Sequence, residues 1–131
     1  MSLQLLLVED KPATRDQLLQ IIEQSPFAVS CANDGLDGLN RSKSQHYDVV
    51  LVDHKMPLMD GLALIKSLRQ SEHYQQTPII LMTTQDAAHV QPLADKAGAN
   101  LCLPKPVEAQ RLLGLLNDLA ATTGNPQQTT V

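Results

Sequence analysis

The chain is predicted to fold as a doubly wound α/β domain, with helices on both faces of a parallel sheet. Two observations carry this expectation. Short apolar runs alternate with amphipathic stretches along the chain, as repeated βα units require. The run VVLV at 49–52 is apolar at every position, whereas a strand exposed on one face would alternate apolar with polar residues.

Residues 3–8, LQLLLV, form the first expected strand. Pro12 suits a first helical position, and Leu18, Leu19, Ile21 and Ile22 then recur at helical spacing until Ser25 and Pro26 end the helix. Residues 27–32 are the second strand, and Asp34 with Gly35 opens a second helix towards Gln45. Residues 49–53 are the third strand, which Pro57 and Gly61 keep from running on. Leu62, Leu64, Ile65 and Leu68 give the next helix its apolar face.

A fourth strand over 78–82 is entered through a proline, where the missing donor is tolerated. Residues 86–97 are expected to be helical, with Gly98 as their stop. Pro92 removes a helix hydrogen bond, so this helix is expected to start late, near Pro92, or to kink there. Residues 101–103 are a short fifth strand, and Val107, Leu112, Leu115, Leu116 and Leu119 mark the last helix. One domain over 1–121 is therefore expected, with TTGNPQQTTV at 122–131 a polar tail or the start of a linker. Five such units give a flavodoxin-like (βα)5 topology with strand order 2-1-3-4-5. In that order the carboxyl ends of strands 1, 3, 4 and 5 share one site.

Composition narrows the function. Aromatic residues are 2% of the chain, with Phe27, Tyr47 and Tyr74 the only such rings, so bases have little to stack on. A net charge of −4 without a basic run argues against direct nucleic-acid binding. Cys31 and Cys102 lie far apart without metal-ligand spacing and read as small apolar residues in a reducing compartment. The N-terminal apolar run carries Gln4 and leads straight into Glu9 and Asp10, too short for a membrane span and unlike a signal peptide. A cytoplasmic chain with no membrane association is expected.

Glu9 and Asp10, then Asp53, then Thr83 and Thr84, then Lys105 fall at those strand ends. Three carboxylates crowded together repel unless a cation sits among them. Their hard oxygens suit magnesium, which takes one or two carboxylates plus a phosphate oxygen. A hydroxyl and a lysine opposite would bind the oxygens of a transferred phosphoryl group, and in-line transfer to a carboxylate needs mostly positioning and charge neutralisation. Taken singly, Asp53 reads as a helix cap, Glu9 and Asp10 as a solvated loop start, and Lys105 as a surface lysine; jointly they read as a site. His46, His54, His73 and His89 form no cluster and are expected at the surface. Met56, Met59 and Met82 read as core fillers.

VED at 8–10, LVDHKMPLMDG at 51–61, the Thr83 that ends ILMT, AGA at 97–99 and PKP at 104–106 occur in order, each at an expected strand end. In this the chain resembles the receiver domains of two-component response regulators, chemotaxis regulators among them, over essentially its whole length to Ala121. The resemblance implies that Asp53 accepts a phosphoryl group from the histidine of a sensor histidine kinase or a histidine phosphotransfer protein. It implies that Asp10 directly, Glu9 through water, Asp53, and the backbone carbonyl of Lys55 hold Mg2+ or Mn2+. Thr83 would be the switch hydroxyl and Lys105 the cation that pairs with the phosphoryl group. Lys55, Thr84 and Gln85 would tune its lifetime, and Lys105-Pro106 is a candidate cis bond.

Such a domain transfers and hydrolyses its own phosphate and is a signalling switch rather than a metabolic enzyme. Its output would go to a downstream effector domain or protein, as a monomer or a weak dimer. Cys102 stands at the switch position where the family usually places an aromatic ring, and Pro92 interrupts the helix of the usual output face. Both changes point to output through another surface or an altered fourth helix. One alternative is a degenerate receiver that docks proteins independently of phosphorylation. Another is a magnesium phosphohydrolase, which would need a second acid two residues after the nucleophile, where Lys55 stands.

Overall fold

The computed structural model describes residues 3–123. Five strands, β1 (Leu3–Val8), β2 (Phe27–Ala32), β3 (Val49–Asp53), β4 (Ile79–Thr83) and β5 (Leu101–Pro104), form one parallel sheet in the order β2-β1-β3-β4-β5. Between and after them run α1 (Pro12–Ile22), α2 (Gly35–Ser44), α3 (Gly61–Gln70), α4 (Ala87–Ala97) and α5 (Ala109–Thr123). The flavodoxin-like, doubly wound arrangement is thus the observed one.

The alternation of side chains along each strand builds two cores from one sheet. Leu6, Val8, Val50, Val52, Ile79, Leu81 and Cys102 face one way and pack with Leu64, Ile65 and Leu68 of α3 and Val90, Ala94 and Ala97 of α4. Leu5, Leu7, Val49, Leu51, Ile80, Met82 and Leu103 face the other way, against Leu18 and Ile22 of α1 and Leu112 and Leu116 of α5. Because both faces are covered, β3 and β4 carry apolar residues at every step until their last. In these two strands the polar residues, Asp53 and Thr83, stand at the carboxyl ends.

Asp34, Asp60 and Asp86 cap α2, α3 and α4, each accepting from a backbone N–H of the first turn. Capping by Asp86 overturns the expectation that α4 starts late: it runs from Ala87 through Pro92 to Ala97 and stops at Gly98, whose φ is +111°. The carbonyl that Pro92 leaves without a helix partner belongs to Ala88, in an exposed first turn where water can serve it. β4 begins one residue later than expected and includes Thr83; the Pro78 carbonyl still accepts from Val50 N–H at 3.0 Å. β5 extends to Pro104, and Val107 precedes α5 rather than opening it. Helix α5 also continues through 122–123, and the rest of the expected tail lies outside the described residues. No helix among the described residues is long and apolar enough to cross a membrane.

Candidate functional site

Parallel register sets the site. Val8 pairs with Val52, Asp53 with Met82, and Thr83 with Pro104, so Glu9, Asp10, Asp53, Thr83 and Lys105 emerge together at the carboxyl edge. Backbone bonds continue past the strands: His54 N–H donates to Met82 O at 2.8 Å, and Lys105 N–H to Thr83 O at 2.8 Å. The lysine is thereby aimed back over the sheet. The Lys105-Pro106 bond that follows it is cis.

Glu9, Asp10 and Asp53 each present a carboxylate oxygen within 4.8 Å of the others. Lys105 Nζ donates to Glu9 Oε1 at 2.8 Å and to Asp53 Oδ1 at 2.9 Å. Glu9 Oε2 accepts the Lys11 N–H at 3.3 Å. Glu9 is fully buried, and burial raises its pKa; the hydrogen bond from Lys105 opposes this and the charge of Asp53 reinforces it. Burial alone would lower the Lys105 pKa, but its bonds to Glu9 and Asp53 outweigh that and leave it raised.

Two carboxylate oxygens, Asp10 Oδ1 and Asp53 Oδ2, are buried without a hydrogen-bond partner among the described residues. Buried anionic oxygens without donors are costly. The set is all oxygen, Lys105 pairs with only two of the three acids, and two acceptors lack a donor, so the residues fit a small hard divalent cation such as Mg2+. Asp10 also has the Lys11 ammonium at 3.8 Å, on an exposed side chain of little electrostatic weight.

The loop from β3 to α3 closes beneath Asp53. Gly61 N–H donates to His54 O at 2.8 Å, and a Cβ at Gly61 would lie 2.3 Å from the Asp53 carbonyl oxygen. Only glycine fits there. Within this loop Leu58 holds φ +70° with its side chain exposed, and Lys55 is exposed as well. Thr84 lines a cavity of about 200 Å3 that runs from Lys105 along Thr14, Leu18 and Ile21 of α1. Gln85 is exposed, and its backbone N–H donates to Thr83 Oγ1 at 3.0 Å.

One sequence expectation fails here. His46, His73 and His89 are exposed, but His54 is buried and its Nδ1 lies 2.8 Å from Thr83 Oγ1. Its pKa is lowered, first by burial and then by the charge of Lys55, which favours the neutral ring. The strand's own alternation held the signal: Val50 and Val52 point into one core, and the next step of two reaches His54. Cys102 is buried in that same core, against the face of α4.

A five-stranded parallel sheet of this order, with three acids and a lysine meeting at its carboxyl edge, defines a CheY-like receiver architecture. The chain belongs to the response regulator receiver domain family, whose profile matches residues 5–117. It is 34% identical over 124 residues to the sensory/regulatory protein RpfC of Xanthomonas campestris pv. campestris, spanning 93% of this chain and 17% of that protein. To the response regulator MprA of Mycobacterium tuberculosis it is 31% identical over 123 residues, spanning 94% of this chain and 53% of the relative. The chain therefore covers about half of one relative's length and under a fifth of the other's.

Among solved structures it resembles the chemotaxis protein CheY4 of Vibrio cholerae, with a TM-score of 0.84 and 27% identity over 91% of this chain and 99% of that one. It also resembles the receiver domain of the sensor histidine kinase PA1611 of Pseudomonas aeruginosa PAO1, with a TM-score of 0.83 and 26% identity over 92% and 99%. That structure has a magnesium ion coordinated in its active-site cleft.

Proposed function

We propose that this receiver domain accepts a phosphoryl group on Asp53 from a phosphohistidine of a sensor kinase or histidine phosphotransfer protein. Asp53 itself carries the reading. One of its oxygens is bonded to Lys105, the other is buried without a donor, and the carboxylate clusters with those of Asp10 and Glu9. A carboxylate with one oxygen tied to a fixed cation and the other without a donor, beside acids able to hold a divalent cation, suits phosphoryl acceptance.

In the transfer, an Asp53 oxygen attacks phosphorus in line, the P–N bond breaks, and its electron pair returns to the donor's imidazole. Lys105 then turns from Asp53 towards the new phosphoryl oxygens, keeping its second bond to Glu9 as a tether. Glu9, Asp10, Asp53 and the Lys55 backbone carbonyl would hold Mg2+ or Mn2+, which when bound supplies positive charge against the phosphoryl oxygens. The modification adds about −1.5 to −2 charges and three strong acceptors, and the Thr83 hydroxyl, at the end of the neighbouring strand, would be the neutral donor that moves to them. Thr84 and Gln85, at the mouth of the site, and Lys55, on the β3–α3 loop, would tune how fast water reaches the acyl phosphate.

The output then passes to a downstream effector domain or protein. Cys102 cannot act as a turning ring, so the change at Thr83 would reach a partner by another route, such as the loop that leads into α4.

The test is intact mass after incubation with acetyl phosphate and Mg2+, beside Asp53→Asn and a magnesium-free control. A gain of one phosphoryl group by the wild type alone supports the reading. If the wild type gains none and also fails to bind beryllofluoride with Mg2+, a phosphorylation-independent docking module takes its place.

A further inference from the structure

Thr83 Oγ1 has two partners, His54 Nδ1 at 2.8 Å and the Gln85 N–H at 3.0 Å. Neither is Asp53, although His54 follows Asp53 at the end of β3 and Thr83 ends the neighbouring β4. The backbones are pinned: His54 N–H is bonded to Met82 O, and Thr83 O accepts from Lys105 N–H. The hydroxyl can therefore travel only by rotating about χ1, from one staggered well to another. Whichever of the two side chains supplies the hydrogen, Oγ1 has to leave His54 Nδ1 to reach a group on Asp53, because a hydrogen bond does not survive much stretching. Burial on the core face of β3 keeps the imidazole from following.

We propose that His54 is a positioning residue: its ring latches the Thr83 hydroxyl in the unphosphorylated arrangement and so sets the fraction of domains ready to bind the phosphoryl group. This rests on the reading of Asp53 as acceptor and of Thr83 as the hydroxyl that moves to it. A ligand on Asp53 must then work against the latch, and its apparent affinity falls with the competent fraction. Histidine at this place trades sensitivity for a firmer off state.

The test measures affinity for beryllofluoride with Mg2+ in the wild type, His54→Leu and His54→Asn, each also in a Thr83→Ala background. Removing one net hydrogen bond predicts that His54→Leu binds about three- to tenfold more tightly. The amide of His54→Asn can occupy the place of Nδ1 and is expected to stay within about twofold of wild type. In the Thr83→Ala background, His54→Leu is expected to change nothing. Unchanged affinity for His54→Leu overturns the latch, as does equal tightening in both backgrounds, which marks a packing effect. In the metal-free protein, the Thr83 methyl resonance and χ1 couplings should report one rotamer for wild type and averaging for His54→Leu; a single unchanged rotamer also overturns it. If the wild type binds no beryllofluoride, the acceptor reading itself fails and the latch falls with it.

Discussion

Asp53 Oδ1 accepts a hydrogen bond from Lys105 Nζ at 2.9 Å, joining residues 52 positions apart. The same ammonium bonds Glu9, and its side chain is 7% exposed. Lys105→Met would leave two buried carboxylates facing one another without a cation. Removing one partner of a buried pair typically costs about 3–5 kcal/mol. The metal-free variant is expected to lose stability of that order at neutral pH in urea denaturation. Mg2+ should restore part of it, because the cation would replace the missing charge. A variant as stable as wild type would show that Glu9 and Asp53 do not depend on the lysine.

Asp10 should behave in the opposite sense. Its Oδ1 is buried without a donor beside two further acids, so Asp10→Asn removes repulsion and is expected to stabilise the metal-free domain by about 1 kcal/mol. The gain should reverse with metal. A ligand that binds only the folded state adds about 2.7 kcal/mol at a hundredfold excess over its dissociation constant, and only the wild type should receive it. Thermal melts of both proteins across a Mg2+ titration are expected to cross. Parallel curves would argue that Asp10 is not a ligand.

Glu9 gives this site a pH dependence. Its folded pKa is raised above the ordinary 4.5, first by burial, so the folded domain binds that proton more tightly than the unfolded chain. The contribution to stability is therefore fully present below 4.5 and is lost as pH rises through the folded value. Glu9→Gln, which mimics the protonated acid, should be more stable than wild type at neutral pH, and the gap should close on acidification. Affinity for Mg2+ should fall on acidification, because a protonated Glu9 no longer offers its charge to the cation or to the water that bridges them. Urea midpoints and Mg2+ titrations across pH 4.5–7.5 test both trends.

The strands were legible because all-apolar runs such as 49–52 permit little else, and their order then brings Glu9, Asp10, Asp53 and Lys105 to one edge. Less legible was what depended on where a polar side chain points. His54 looked like a surface residue because histidine usually is one, yet its place in the alternation of β3 turns it inward to Thr83. Pro92 looked like a late helix start or a kink because a proline lacks its N–H; the late start does not occur, since Asp86 already caps the helix and the orphaned carbonyl is exposed. In both cases tertiary surroundings outweighed the local preference.

Away from the site, Tyr74 supports the opposite edge of the sheet. Its hydroxyl accepts the Tyr47 N–H at 3.2 Å and lies 2.9 Å from the Ser42 carbonyl, to which it donates. Both rings are buried. Tyr74→Phe keeps the packing but strands the Tyr47 N–H, which predicts a loss of about 1–3 kcal/mol. Phosphoryl acceptance should be unchanged, so mass analysis and denaturation together separate stability from function. A loss of both would mean that the two ends of the sheet are coupled.

Gly61 links stability and site geometry most directly. A Cβ there would meet the Asp53 carbonyl oxygen at 2.3 Å and a methyl of Leu81 at 2.9 Å. The carbonyl belongs to the strand's last residue and cannot yield without tilting Asp53, and Gly61 N–H is itself tied to His54 O at 2.8 Å. Gly61→Ala should therefore cost about 1–3 kcal/mol, the usual range for overpacking, although alanine is the better helix former. It should also slow phosphoryl acceptance by more than the lost stability explains, since small displacements of reacting groups are costly. The check is the acetyl phosphate reaction rate at a temperature where the variant remains fully folded. A rate equal to wild type would mean that the loop absorbs the methyl group without moving Asp53.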